Sequence, residues 1–393
     1  MKLYLALAAA LVTAGSAFGQ APKPTAAAAA TIVSIPEEAT GSPAAMAKWL
    51  KAHTSSSMQL QRSLYNWIAK NIRYDVPGMY QQRDYRDTTA ALQRVLRSRE
   101  GVCTDYASLY AKVCQEAGIP AFTVNGYCLE NGTLSPTGAH DWVAVKNGGQ
   151  WTITDPTWGA GTVNGATFTP QLNWDWFQLS PQAAIKRHIP FDPMWQLLAN
   201  PVRHDEVGVS RQSGPTFNYN DTIALYFRSA RYERMAGMLG RIERYGGASN
   251  PFVQAELDWL RQTVKVLAGN REIEERNRLI DKFTAVNKEY SEVVRLYNDY
   301  VTYKNKQFQP EQSDVAIRKM MEGMTGRLKA VEQELSGMKS TDAAMAGHLN
   351  ELNAAVSDLR GKVNVEEGFV NKYIKTEKDK RRSLFYADVV QKS

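Results

Sequence analysis

Residues 99–120, REGVCTDYASLYAKVCQEAGIP, place a cysteine, Cys103, at the start of a helical pattern. Apolar residues then recur at the spacing of one helix face, at Tyr106, Ala107, Tyr110, Ala111 and Cys114. The pattern stops at Gly118-Ile119-Pro120, and a glycine just past the last turn with a proline two residues beyond ends a helix. Unpaired N–H groups and the helix dipole at a helix N-terminus favour the thiolate of a cysteine. Cys103 is therefore a candidate nucleophile.

Beyond this helix the pattern changes to alternating β-formers. The segments at 121–129, 140–146 and 150–155 are AFTVNGYCL, HDWVAVK and QWTITD, which are typical of strands, and the turn NGG joins the last two. His140 opens the first strand of this hairpin and Asp155 closes the second. These two ends lie side by side in an antiparallel hairpin, so the carboxylate can orient the imidazole. The residues predict an α+β fold in which a helix with an N-terminal cysteine leads into an antiparallel sheet.

Cys103, His140 and Asp155 have the order that a nucleophilic triad requires. A catalytic thiol needs a base to take its proton and a third group to orient that base. We expect Cys103 to be the nucleophile, His140 the base and Asp155 the orienting carboxylate. The peptide N–H of Cys103 is a natural oxyanion donor, and Tyr74 is a candidate for the second donor.

Each of the three residues also has an ordinary structural interpretation. Taken singly, Cys103 is a small buried hydrophobe, His140 a polar residue at a strand start, and Asp155 a turn former ahead of a proline. Their joint placement favours the triad over these separate roles.

The other polar candidates are interpreted as structural. Asp105, in the first helical turn, is expected to be a dipole partner rather than a catalytic acid. His188 and His204 lack metal-like spacing and are expected to be solvated. Cys114 and Cys128 either form a disulfide or remain core thiols, and the residues leave both options open.

Two stretches resemble a known family. The segments GVCTDYASLYAKVCQEAGIPAFTVNGY and HDWVAVKNGGQWTITDPTW look like the core of the transglutaminase-like superfamily in its bacterial form, and the resemblance covers residues from about 55 to about 200. It implies a papain-like α+β fold and thiol acyl chemistry, with Cys103, His140 and Asp155 in the three catalytic positions. The family contains transglutaminases, peptidases, amidases and members without catalysis.

Two departures from the pattern of the animal enzymes narrow this expectation. Val102 and Thr104 stand where animal transglutaminases have Gln and Trp, which weighs against protein cross-linking. The chain also has no loop with calcium-ligand spacing. We therefore expect no metal and no cofactor.

The N-terminus predicts export. MKLYLALAAALVTAGSAFGQ has one lysine, a short apolar run and the small-residue pattern Ala17-Phe18-Gly19, which is typical of a secretory signal peptide cleaved after Gly19. No apolar run is long enough to span a membrane, so we expect a secreted or periplasmic protein. The predicted organisation is a signal peptide at 1–19, a low-complexity linker at 20–42, a transglutaminase-like domain at 43–205 and a helical domain at 206–393.

The C-terminal half has the pattern of long helices. Apolar residues between 280 and 363 follow three- and four-residue steps, which predicts helices that pack side by side with coiled-coil geometry. The segments QPEQSD and KSTD interrupt the pattern, so these helices are expected to form hairpins. Between the two halves, residues 159–205 are rich in Trp, Pro and Phe and are expected to form loops and short helices.

The charge composition bears on one class of partner, nucleic acid. The formal charge of +7, from 47 Lys+Arg against 40 Asp+Glu, is mild for 393 residues and predicts no nucleic-acid partner. The favoured function is an exported thiol enzyme that acts on amide bonds of a protein or peptide, for example a cell-wall peptide. Water as acceptor would make it a peptidase or amidase, and an amine would make it an acyltransferase. The alternative is a non-catalytic binding or scaffold protein whose helices self-associate or contact an envelope partner.

Overall fold

The structure, a computed structural model, describes residues 31–81, 83–130, 133–207 and 216–386. The predicted signal peptide lies outside these ranges. The chain divides into two compact units, Met1–Leu267 and Ala268–Ser393. Within the described ranges, each helix is too short or too polar to cross a membrane.

In the described part of the chain before the main sheet, the α-helices are α1 (Pro43–His53), α2 (Ser57–Asn71), α3 (Thr88–Ser98) and α4 (Cys103–Glu116). The first three begin at a side-chain cap, because Ser42, Ser56 and Asp87 each accept a hydrogen bond from a backbone N–H of the first turn. The predicted helix at 103–117 is confirmed by α4, which begins at Cys103 and buries the predicted apolar face.

The strands described in the first unit are β1 (Arg73–Tyr74), β2 (Glu100–Gly101), β3 (Ala121–Glu130), β4 (Thr133–Asn147), β5 (Gln150–Thr154), β6 (Gly161–Asn164), β7 (Thr167–Pro170) and β8 (His188–Pro190). The main sheet is antiparallel with the order β5-β4-β3-β8. β1 and β2 form a parallel pair, and β6 and β7 form a separate hairpin. The predicted α+β class is confirmed.

Two strand predictions need correction. The strand predicted at 140–146 begins earlier, at Thr133, because β3 continues past an irregularity after Tyr127 and pairs with this extension. His140 therefore lies within β4 rather than at its start. Residues 159–205 were expected to contain loops and short helices, but β6, β7 and β8 form there, together with the helix α5 (Pro181–Ala184). The pairing of β8 with β3 joins segments far apart in sequence, which local patterns do not reveal.

The sheet separates two apolar layers because successive residues of a strand point to opposite faces. Val143 and Val145 of β4 join the core that α1 to α4 form. Trp142 and Ala144 face the other way, into a cluster that includes Ile223. Within the predicted linker, Ile35 and Ala39 also lie in the first core.

Three further helices follow: α6 (Tyr219–Arg228), α7 (Arg231–Arg244) and α8 (Pro251–Asn305). Ile223 of α6, Ile242 of α7 and Val253 of α8 are buried in clusters that include residues of the sheet. The first unit therefore extends beyond the predicted domain boundary at 205/206, as far as residue 267.

The second unit contains the rest of α8 together with α9 (Asp314–Ser336) and α10 (Ala343–Lys375). The predicted breaks at QPEQSD and KSTD separate these helices, and the predicted apolar positions of α9 and α10, from Met321 to Val363, supply much of their common core. The helical C-terminal region is confirmed, and its coiled-coil geometry stays a prediction. Short 3-10 helices occupy Glu37–Ala39, Pro77–Tyr80, Trp174–Trp176, Pro193–Gln196, Gly247–Ser249 and Lys378–Phe385.

Candidate active site

Cys103 occupies the first position of α4, directly after the N-cap residue Val102, and its side chain is partly exposed. The carboxylate of Asp105 accepts a hydrogen bond from the Val102 N–H at 3.0 Å. It also pairs with Arg83 at 2.9 Å and with Arg94 at 3.3 Å. Asp105 thus closes the helix N-terminus, with its charge balanced by two arginines, which agrees with a structural role rather than that of a catalytic acid.

Gly101 allows the chain to turn tightly into α4. A Cβ added at this position would lie 2.7 Å from the Cβ of Asp105, closer than real Cβ atoms approach. The parallel pairing of β2 with β1 sets Tyr74 opposite Gly101. Burial raises the pKa of the Tyr74 phenol, and the neighbouring Cys103 and Tyr106 act in the same direction. The phenol therefore keeps its proton and is a hydrogen-bond donor near the thiol.

His140 and Asp155 contact each other as the hairpin predicts. The imidazole Nε2 lies 2.8 Å from the Asp155 Oδ2, and the Asp155 side chain is fully buried. Asp155 follows directly after β5, in the sequence Asp-Pro-Thr-Trp. Its Oδ1 accepts hydrogen bonds from the N–H groups of Thr157 at 2.9 Å and Trp158 at 3.0 Å. The turn after β5 thus fixes one carboxylate oxygen and leaves the other for histidine.

The two groups form an ion pair. Burial opposes a charge on His140, but the charge of Asp155 and its hydrogen bond outweigh burial and raise the His140 pKa well above its ordinary value. The neighbouring Cys103 thiol also acts to raise this pKa. Burial would raise the pKa of Asp155, yet the charge and hydrogen bond of His140 and the hydrogen bond of His188 hold it below its usual range. His140 and Asp155 therefore pair as the hairpin predicts, and the catalytic roles of Cys103, His140 and Asp155 stay a prediction.

A second histidine, which the sequence did not predict, contacts the same carboxylate. The Nε2 of His188 lies 2.9 Å from the Asp155 Oδ2. The expectation that His188 and His204 are solvated is wrong, because both are 2% exposed. Burial lowers the pKa of His188 and keeps it neutral. His188 was missed because its position depends on the pairing of β8 with β3.

Aromatic rings enclose the histidines. The Trp158 ring stacks on His140, with centroids 5.2 Å apart and planes 19° from parallel. Trp158 also lies 4.7 Å from the His188 ring, and Trp176 lies 5.5 Å from it. These rings exclude water from one side of the imidazoles and so strengthen the ion pair.

A polar bridge joins α4 to the strand that carries His140. The hydroxyl of Thr104 donates to the Asp141 Oδ2 at 2.5 Å, and Asn125 of β3 donates to the other oxygen. Thr104 follows Cys103, and Asp141 follows His140. The bridge therefore fixes the backbone beside the thiol relative to the backbone beside the imidazole.

All three cysteines are free thiols, which resolves the alternatives for Cys114 and Cys128 in favour of core thiols. Burial raises the pKa of both, that of Cys128 to about 12. Cys128 lies opposite His188 in the β3–β8 pairing. One ligand atom each of Cys128, His140 and His188 lie within 4.8 Å of one another, so these residues could hold a metal ion.

Comparisons with known proteins match part of the chain. Residues 44–156 match the family model of the transglutaminase-like superfamily. Kyphoscoliosis peptidase of Mus musculus is 33% identical over 156 residues, which cover 37% of this chain and 23% of that protein. The Homo sapiens protein of the same name is 33% identical over 161 residues, which cover 38% of this chain and 23% of that protein. The chain thus spans less than a quarter of the length of these relatives.

One solved structure with a similar region is the periplasmic domain of TgpA from Pseudomonas aeruginosa. It is 25% identical, and the match covers 30% of this chain and 42% of that chain with a TM-score of 0.25.

Proposed function

Since residues 44–156 form a core of the transglutaminase-like superfamily, we propose that the protein is a thiol enzyme that acts on amide bonds through an acyl-enzyme at Cys103. The observation that carries the proposal is the 2.8 Å contact of His140 with the buried Asp155 carboxylate, in a site where Cys103 starts helix α4 and raises the His140 pKa. In such an arrangement the imidazole holds the proton of the thiol and the carboxylate orients the imidazole.

The proposed chemistry uses only these residues and water. In the resting site the Cys103 proton already lies on His140, and the thiolate sulfur attacks the amide carbon and forms a C–S bond. The oxyanion accepts hydrogen bonds from the Cys103 N–H and the Tyr74 phenol. His140 then protonates the leaving nitrogen as the C–N bond breaks. Water, deprotonated by His140, attacks the thioester, and the C–S bond breaks to release an acid and the thiol.

Hydrolysis is the simpler outcome, because water is always available as acceptor. An amine acceptor in place of water would give acyl transfer at the same thioester. The relatives that match are named peptidases, which supports a protein or peptide as substrate. From the N-terminal pattern we also propose that the enzyme acts outside the cytoplasm, as a secreted or periplasmic protein.

Thiol alkylation tests the ion pair. At about pH 6 a free cysteine is only about 0.3% thiolate, so alkylation by iodoacetamide is slow unless the thiolate is stabilised. We expect Cys103 of the full chain to be alkylated at least about 10-fold faster than in the variant His140→Ala. His53→Ala, which changes an exposed histidine, is the matched control and should keep the wild-type rate. Equal rates in all three proteins would contradict the triad.

Acyl transfer to the thiol tests the chemistry itself. Incubation with p-nitrophenyl acetate should acetylate Cys103, seen by peptide mass spectrometry, and should release nitrophenol in a burst. Cys103→Ala should abolish the burst, and Cys114→Ser should leave it unchanged. A fast-alkylating thiol that cannot be acylated would favour the alternative of a binding or scaffold protein.

A further inference from the structure

We propose that Cys128, His140 and His188 form a binding site for a divalent metal ion of the zinc type. Their ligand atoms lie within 4.8 Å of one another. The side chains are buried, with exposed fractions of 1%, 9% and 2%. One thiolate and two imidazoles are a donor set that suits Zn²⁺, since calcium and magnesium prefer oxygen ligands.

The sheet holds the three ligands in place. Cys128 lies directly opposite His188 in the pairing of β3 with β8. His140 lies on β4, opposite Gly126, two residues before Cys128 on β3. Three adjacent strands thus supply one ligand each, so the site needs no folding of a loop around the ion.

Asp155 prepares both imidazoles for a metal. Its Oδ2 lies 2.8 Å from the Nε2 of His140 and 2.9 Å from the Nε2 of His188. A carboxylate that accepts the N–H of one ring nitrogen directs the lone pair of the other nitrogen to the metal, as in many zinc sites. Independently of this contact, the Nδ1 of His188 is buried and has no hydrogen-bond partner among the described residues. A bound cation would satisfy this atom.

Zn²⁺ binding displaces protons from two of the ligands. One Zn–S bond and two Zn–N bonds form, and the thiol proton of Cys128 and the second proton of the His140 imidazolium pass to the solvent. The site itself does not depend on the proposed function. The expected effect of the metal on activity does rest on the proposed function. Because His140 is the proposed base, bound Zn²⁺ occupies the base and inhibits the enzyme reversibly while Cys103 stays unmodified.

Cobalt is the probe, since Co²⁺ replaces Zn²⁺ at tetrahedral sites and its spectrum reports thiolate ligation. We expect the full chain to give visible Co²⁺ bands with a thiolate-to-metal charge-transfer band, and Zn²⁺ to displace them. The bands should persist in Cys103→Ala and in Cys114→Ser, which changes another buried thiol. They should be lost in Cys128→Ser and in His188→Gln. In Asp155→Asn we expect an affinity about 10- to 100-fold weaker, from the lost carboxylate contact.

Two results would overturn the site. One is wild-type protein without the charge-transfer band. The other is a band that Cys103→Ala removes and Cys128→Ser keeps, which would place the metal on the nucleophile. Since Cys128→Ser can fail to fold, thermal unfolding of the wild-type chain is the second measurement: Zn²⁺ must raise its Tm, as any ligand of the folded state does. Alkylation and acylation of Cys103 without metal report on the proposed function separately, so the two failures are distinguishable.

Discussion

One oxygen of Asp155 contacts two imidazoles that hold different charges. His140 is protonated because its pKa is raised, and His188 is neutral because burial and the neighbouring positive charge lower its pKa. Two imidazolium ions beside one carboxylate would repel each other in a site that excludes water. The negative charge of Asp155 therefore stabilises the imidazolium of His140, the histidine whose pKa Cys103 also raises. Neutral His188 donates a hydrogen bond that holds the carboxylate in place.

The bridge between Thr104 and Asp141 predicts the effect of a nearly isosteric change. Thr104→Val removes the hydroxyl that donates to Asp141 at 2.5 Å. The buried Asp141 carboxylate then keeps Asn125 but loses its donor at Oδ2, so we expect the free energy of unfolding to fall by about 1–3 kcal/mol. The rate of Cys103 alkylation should fall as well, because the backbones beside the thiol and the imidazole lose their connection.

Chemical denaturation and iodoacetamide kinetics measure these two effects. Thr162→Val is the matched control, since Thr162 is an exposed strand residue, and it should change neither quantity by a measurable amount. A Thr104→Val protein with unchanged stability and unchanged alkylation would contradict the role of the bridge.

Among single residues, the sequence predicts those site residues whose positions depend only on local secondary structure. The helix that ends at Gly118 begins at Cys103, and the hairpin turn sets His140 beside Asp155, a pair that the structure contains. The sequence does not predict the position of His188. That position depends on a three-residue strand that pairs with a segment 60 residues away, Cys128 opposite His188. Nor does the sequence predict Asp141, because a charged residue in a strand is normally solvent-facing.

Among the elements, β8 is short and yet decides where His188 lies. It pairs with β3 at three positions, one of which is Gly126 opposite Pro190. A Cβ added at Gly126 would lie 2.2 Å from the backbone oxygen of Ile189 and 2.5 Å from the Trp142 ring. The glycine therefore permits the close approach of the two strands.

Gly126→Ala should accordingly separate β8 from β3. We expect a loss of about 1–3 kcal/mol in the free energy of unfolding, the usual cost of overpacking a core. Gly240→Ala is the control, because an added Cβ there meets no atom within 4 Å and the position lies within helix α7. It should be neutral or stabilising by up to about 1 kcal/mol. Urea denaturation measures both, and equal stabilities of the two variants would contradict this account of Gly126.

His204 connects the helices that follow the sheet to the sheet itself. Its Nε2 lies 2.9 Å from the carbonyl of Phe191, so this nitrogen must carry the proton. Its Nδ1 then accepts from the Tyr127 hydroxyl of β3 at 2.9 Å. Asn250, directly before α8, donates to the His204 carbonyl at 2.9 Å. A second ring proton would leave the Tyr127 hydroxyl without an acceptor.

The pKa of His204 predicts acid destabilisation. Burial lowers this pKa to about 4, while the nearby Asp192 and Asp205 act to raise it and Arg203 to lower it. The unfolded chain binds the proton near pH 6.5, so the contribution of His204 is complete above that pH and is lost as the pH falls toward 4. We expect a loss of about 3 kcal/mol across this interval, at about 1.4 kcal/mol for each unit.

Comparison with His204→Gln isolates this contribution from other titrating groups. The variant should lose less stability than the wild type between about pH 7 and about pH 4, measured by urea unfolding at each pH. His53→Gln, at an exposed histidine, should retain the wild-type pH dependence. If the dependence of His204→Gln also matches the wild type, the pKa of His204 is not lowered by its site.

The ends of helices can be predicted from local sequence, whereas the ends of strands depend on distant partners. The 3.6-residue period and its breaks predict α4, α9 and α10 because a helix depends on neighbours within one turn. The start of β4 was predicted seven residues late (His140 instead of Thr133) because β3 continues past its irregularity and supplies a partner for the extension. Strand ends depend on such partners, which no local pattern contains.

For the whole molecule, the described cores follow the division into two units. Three buried clusters draw their residues from the chain up to Val264, and the fourth draws its residues from Phe283 onward. The two units therefore have separate apolar cores. A cavity in one core should lower the stability of that unit without reaching the thiol chemistry of the other.

Leu328→Ala tests this separation. Leu328 of α9 is fully buried in the helical core, so its truncation should cost about 2–5 kcal/mol in the unfolding of the second unit. Val315→Ala is the control on the same helix, because Val315 is 64% exposed and should change stability by less than about 0.5 kcal/mol. Guanidinium denaturation followed by circular dichroism measures the helical transition, and iodoacetamide measures Cys103 in the same samples. We expect the helical transition of Leu328→Ala to move to lower denaturant while Cys103 alkylation under native conditions keeps its wild-type rate. A parallel loss of both would mean that the helical core supports the active site, and that the two units fold as one.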